Sequence, residues 1–71
     1  MFDITKFKIR LIEMKLTNEE VAQKMGINSA TLYRKIKGNS DFTRQEIQAL
    51  RKILLLNSET ADGIFFTSKL T

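Results

Sequence analysis

The sequence predicts an all-α domain of five helices around one core. Three observations point that way. No proline occurs, and glycine appears only at 26, 38 and 63, so continuous helices joined by tight turns are favoured over sheet. The helix-start pattern Thr-x-x-Glu occurs twice, at Thr17/Glu20 and Thr43/Glu46. Apolar residues between these signals recur three and four apart, the period of a helix with one buried face.

Asp3 is placed to cap a first helix running to about Met14. Its stripe is Ile4, Phe7, Leu11 and Met14, widened by Ile9 and Ile12, with Lys6, Lys8 and Arg10 elsewhere. Thr17 and Glu20 open the second helix as a capping box, and Val21, Ala22 and Met25 give it a face. Gly26 suits the left-handed backbone that ends one helix and starts a turn. Ile27 plugs the angle, and Asn28 or Ser29 caps the third helix. Leu32 and Ile36 form its buried side, Tyr33, Arg34 and Lys37 lie mostly outside it, and Gly38 ends it. After a polar turn, Asn39 to Asp41, Phe42 precedes the Thr43/Glu46 box and folds back with Ile47 as its staple partner. Ile47, Leu50, Ile53 and Leu54 line the fourth helix. Asn57 or Ser58 opens a short fifth helix to about Phe66, interrupted by Gly63, and Thr67 to Thr71 are frayed or a short strand. The β-formers Ile64 to Thr67 are where strand competes most.

The segment Thr17 to Gly38, TNEEVAQKMGINSATLYRKIKG, reads as two short helices joined by a three-residue turn. Its second helix carries Tyr33, Arg34, Lys35 and Lys37. That is the layout of a helix-turn-helix, which sets its second helix into the major groove of DNA.

The segment resembles the helix-turn-helix of the Cro and repressor family of bacteriophage regulators. The match lies in Val21-Ala22, the Met25-Gly26-Ile27 turn and Leu32. The resemblance implies a five-helix lambda-repressor-like DNA-binding domain spanning residues 1–71, with the motif at about 17–38. One residue departs from it. The family usually has an apolar residue three after Leu32, where this chain has Lys35, with Ile36 one later. That spacing implies a slight rotation of the second motif helix. The ending IFFTSKLT and the short length are also similar to small phage proteins of Gram-positive hosts. These include Cro-like lytic regulators and the modulator-of-repression antirepressors of lactococcal phages. The implied setting is the cytoplasm of a bacterial host.

Composition narrows the chemistry. The 71 residues contain no Cys for disulfides or thiolate metal sites, and no His, the commonest general base and zinc ligand. A core this small has to rely on tight helix packing or self-association. The N-terminal MFDITKFKIR mixes charge into its apolar residues, unlike a signal peptide, and no run is long enough for a membrane span. The acids Asp3, Glu13, Glu19, Glu20, Asp41, Glu46, Glu59 and Asp62 show no metal-ligand spacing. No phosphate loop, nucleophile–base pair or cofactor fingerprint occurs, so no enzyme, cofactor or metal is expected. The net charge is +4, and residues 1–38 hold all of the excess, eight Lys or Arg against four acids. Phosphate neutralisation needs such an excess.

Position on the motif nominates the DNA-contacting residues as Asn28, Ser29, Ala30, Tyr33, Arg34 and Lys37. Arg34 suits bidentate contact with guanine, and Ala30 suits a thymine methyl. Asn28 and Ser29 suit bases or phosphate, with capping as the other role of Asn28. Tyr33 suits a phosphate or a stack, or else packs on the core edge. Lys37 and Asn39 suit the backbone, and Asn18 sits where the family often contacts a phosphate. The expected partner is double-stranded operator DNA.

The run Ile64-Phe65-Phe66 cannot all face one side of a short helix. With Leu55 and Leu56, off the stripe of their own helix, it is a candidate protein-contact surface, for a homodimer or the partner phage repressor. Two functions therefore stand side by side. One is a Cro-like regulator that occupies operators and promotes lytic growth; the other is an antirepressor that binds the phage repressor directly.

Overall fold

The computed structural model describes residues 2–66. They form five helices, α1 (Ile4–Met14), α2 (Asn18–Met25), α3 (Ser29–Ile36), α4 (Arg44–Ile53) and α5 (Ser58–Phe65), and no strand. Each start carries a side-chain cap. Asp3 accepts from the Lys6 amide, Asn28 from the Ala30 amide and Asn57 from the Thr60 amide. Thr17/Glu20 and Thr43/Glu46 are complete capping boxes. Five helices of 8 to 11 residues are too short to persist alone, so packing must hold them.

Packing divides the molecule into two sets. α2 packs against both α3 and α4, and α1 packs against α5. The shared core is Phe7, Leu11, Val21, Ala22, Leu32, Ile36, Leu50, Leu54, Leu56, Ala61, Ile64 and Phe65. Phe2 closes one end of it, with ring centroids 5.2 Å from Phe7, 5.1 Å from Phe42 and 5.6 Å from Phe65. Phe42 meets Phe65 edge-on at 5.6 Å. Phe42 thus folds back on the core as its place before the capping box implied, and Ile47 is half-buried against the same core.

Several expectations need correction. Ile9 and Ile12 do not widen the buried stripe of α1. They are 50% and 74% exposed, outside the face that α1 buries through Phe7 and Leu11. Gly63 does not interrupt α5, which runs through it to Phe65. Ile64 and Phe65 are helical, not strand, and Thr67 to Thr71 lie outside the described residues. Leu54 is buried but falls just beyond α4.

Arg10 holds the turn after α4. Its Nε donates to the Leu54 carbonyl at 2.9 Å and its Nη2 to the Leu55 carbonyl at 3.2 Å. Carbonyls at a helix C-terminus lack intrahelical partners and carry the negative end of the dipole, so a guanidinium suits them. Leu55 itself is left-handed, with φ 53°. That reversal swings Leu56 off the line of α4 and into the core.

Candidate nucleic-acid interface

The turn between α2 and α3 is built from two local devices. Gly26 is left-handed at φ 77°, and its amide donates to the carbonyls of Ala22 and Gln23. Asn28 then restarts the helix in extended conformation as the N-cap of α3. Ile27 is half-buried against the core between them.

At about 100° per residue, Ser29, Tyr33, Lys37, Ala30 and Arg34 occupy an arc of about 140° on α3. All five are exposed, whereas Leu32 and Ile36 beside this arc are buried. The Arg34 guanidinium makes no ion pair among the described residues. Lys37 lies over the Tyr33 ring, its Nζ 5.1 Å from the centroid. Tyr33 therefore supports a cation at the surface and is 54% exposed; it does not pack on the core edge. Asn39 follows the helix, exposed, and its amide donates to the Arg34 carbonyl at 2.9 Å.

Capping and contact are both open to Asn28, with a restriction. Its Oδ1 accepts from Ala30 at 2.7 Å, which leaves its amide nitrogen to donate. It suits a phosphate or a base acceptor, while Oδ1, with two lone pairs, can accept a second bond only in the direction the cap leaves open. Asn18 belongs to a different helix, at the first position of α2, and is half-buried.

Lys35 is a residue to which sequence reasoning gave no role. Leu32 and Ile36 both fill the core while Lys35 turns toward α4. Its ammonium lies 3.1 Å from Glu46 Oε1, with side-chain exposures of 10% and 21%. It also donates to the Asp41 carbonyl at 3.0 Å. Glu46 Oε1 accepts at the same time from the Thr43 amide at 2.8 Å. Burial pushes the Glu46 carboxyl up, but the bonds from Thr43 and the charge of Lys35 outweigh it. Its pKa therefore falls below the usual glutamate value. The one signal in the sequence was a lysine where the resemblance implied an apolar residue.

The protein-contact set separates into two groups. Leu56, Ile64 and Phe65 are buried and are not available as a surface. Leu55 and Phe66 remain, 69% and 59% exposed. Two consecutive residues, Ile64 and Phe65, are both inside because α5 is enclosed on one side by α1 and on another by Phe2 and Phe42.

Among the described residues, no group of three His, Cys, Asp or Glu side chains is placed to hold a metal ion. None of the helices described is long and apolar enough to cross a membrane. No curated protein and no solved structure matches the chain significantly. The family model of the Cro/C1-type HTH DNA-binding domain matches residues 6–59, which takes in most of α1, all of α2 to α4 and the start of α5. With most of its length matched, and with α2, the Gly26 turn and α3 presenting an exposed basic arc, the chain belongs to the Cro/C1-type helix-turn-helix DNA-binding family.

Proposed function

We propose that this chain regulates the lysis–lysogeny switch of a temperate phage, occupying operator DNA and promoting lytic growth. The outer arc of α3 carries the DNA part of this reading. Arg34 offers an unpaired guanidinium, Ala30 a small apolar contact, and Lys37 a cation held over Tyr33. A recognition helix in the major groove reads base edges and meets phosphates with residues of this kind along its outer face. The phage setting rests on the likeness of Val21-Ala22, Met25-Gly26-Ile27 and Leu32 to bacteriophage Cro and repressor proteins. Two copies on one operator would set their α3 helices about 34 Å apart, on half-sites one turn of DNA from each other.

A second reading is an antirepressor that binds the phage repressor. It is favoured by Leu55 and Phe66, large apolar side chains left at the surface of a small domain. A gel shift on the phage promoter region tests both, with this protein alone, the repressor alone, and the two together. A shift by this protein alone supports the operator reading. Loss of the repressor's shift, without a shift by this protein, replaces that reading with the antirepressor.

A further inference from the structure

Most basic side chains on a DNA-reading helix are expected to meet phosphate. Lys35 sits in the last turn of α3, yet its ammonium is turned away from the exposed arc and engaged on the α4 side. It joins three parts of the fold at one point. Its own backbone belongs to α3, its ammonium donates to the Asp41 carbonyl in the connecting loop, and it pairs with Glu46 at the start of α4. Glu46 is itself fixed, because its Oε1 accepts the Thr43 amide and its own amide donates to Thr43 Oγ. The anchor is therefore a completed helix cap rather than a free side chain.

The loop that this joint spans holds the residues between α3 and α4. Gly38 is left-handed at φ 89°, and Asn39 is bonded back to the Arg34 carbonyl. An apolar residue at position 35 would fill the same flank but could fix neither the loop carbonyl nor the cap carboxylate. Side chains that read DNA must be held to within about 0.5 Å by their supporting shell. The Lys35 joint supplies that support to both the α3 arc and the loop carrying Asn39.

We propose that Lys35 is a positioning residue for DNA recognition: it locks α3 and the 38–43 loop to the Thr43/Glu46 cap and does not itself contact phosphate. The inference rests on the DNA-binding reading of α3. It makes Glu46, an acid, a supporter of binding to a polyanion, because removing Glu46 frees the lysine but loosens the helix.

The test uses the full chain and a labelled duplex of the phage promoter region, titrated at several salt concentrations. Lys35→Met keeps the apolar stem and removes the ammonium. Glu46→Gln keeps the capping-box geometry and removes the charge. Each should weaken specific binding by roughly five- to twentyfold, and the double variant should lose no more than either single one. The salt slope should match wild type in every case, and Lys35→Arg should retain most of the affinity. Amides of residues 38–43 should exchange faster in Lys35→Met even without DNA. A salt slope lowered by about one in Lys35→Met, with tighter binding by Glu46→Gln, would make Lys35 a phosphate contact and overturn the proposal. Wild-type affinity in all folded variants would overturn it too, by reducing the joint to a structural role. If wild type binds the duplex and only the variants fail to differ, the positioning role alone falls. If wild type binds no duplex, the DNA reading falls with it.

Discussion

Replacing Phe65 and Phe66 one at a time with alanine should produce very different outcomes. Phe65 is 6% exposed and touches Phe2 and Phe42, whereas Phe66 is 59% exposed at the end of α5. A phenylalanine side chain removes about 200 Å² from water when fully buried, worth about 5 kcal/mol at 25 cal/mol per Å². Phe65→Ala should therefore cost about 3–5 kcal/mol, with the loss of two ring contacts toward the upper end. Phe66 buries less than half of its surface, which caps its contribution at about 2 kcal/mol, and a compact unfolded chain brings the expected cost near 1 kcal/mol. A domain of this size has about 4–10 kcal/mol in total. Thermal melts followed by far-ultraviolet circular dichroism should show Phe66→Ala lowered by about 4–8 °C and Phe65→Ala largely unfolded or barely cooperative. Equal midpoints for the two variants would contradict the packing of α5 on the aromatic cluster. In the same preparations, Phe66→Ala should lose self-association or repressor binding if Phe66 is a contact residue, and sedimentation with pull-down measures this.

Arg34→Ala should cost about 1–3 kcal/mol on the specific operator and relax preference at one base pair, measured by titrating a set of single-substitution duplexes. Lys37→Ala should weaken all sequences alike and reduce the salt slope by about one; identical, sequence-blind losses from both variants would remove Arg34 from base readout. Gly26→Ala should destabilise by about 1–2 kcal/mol, purely through its φ of 77°, since a Cβ there meets nothing within 4 Å. Gly63→Ala should instead stabilise by about 0.5–1 kcal/mol, because it lies inside α5 and its Cβ would only reach ordinary contact with Lys6 Nζ at 3.6 Å. Urea melts that give the two glycine variants the same sign would refute that contrast. Glu46 has a lowered pKa in the folded protein, so its stabilising contribution is complete above the ordinary glutamate value of about 4.3 and is lost as pH falls through the folded value. Glu46→Gln should flatten that part of the acid limb in denaturation measured from pH 6 to pH 2.

The capping residues made the helix starts legible in the sequence. Asp3, Thr17, Asn28, Thr43 and Asn57 each act within three residues of themselves, so the pattern and the geometry coincide. The exposed arc of α3 follows equally from local spacing once Leu32 and Ile36 are buried. What depended on distant parts of the chain was not legible. Whether Ile9 and Ile12 are covered depends on how α1 packs against α5, which lies some fifty residues later. Leu56 looks off-stripe on a continuous helix, but the left-handed Leu55 redirects it inward. Lys35 reads as one more surface cation until Glu46 and the Asp41 carbonyl are seen beside it.

The Asp3 amide donates to the Ile64 carbonyl at 2.7 Å, a main-chain clasp between the residue that caps α1 and the last turn of α5. Its two ends are separated by nearly the whole described chain. The clasp therefore closes a loop that contains every other helix, at an entropic cost that grows only slowly with loop length. The partners of α2 and α3 are near in sequence, whereas α1 packs against α5, the helix farthest from it along the chain. Once the clasp is made, fraying at either terminus exposes the same rings, Phe2 and Phe65. Opening from one end thus weakens the other, and the two tips of the molecule are expected to melt together, as a single cooperative unit, rather than one after the other.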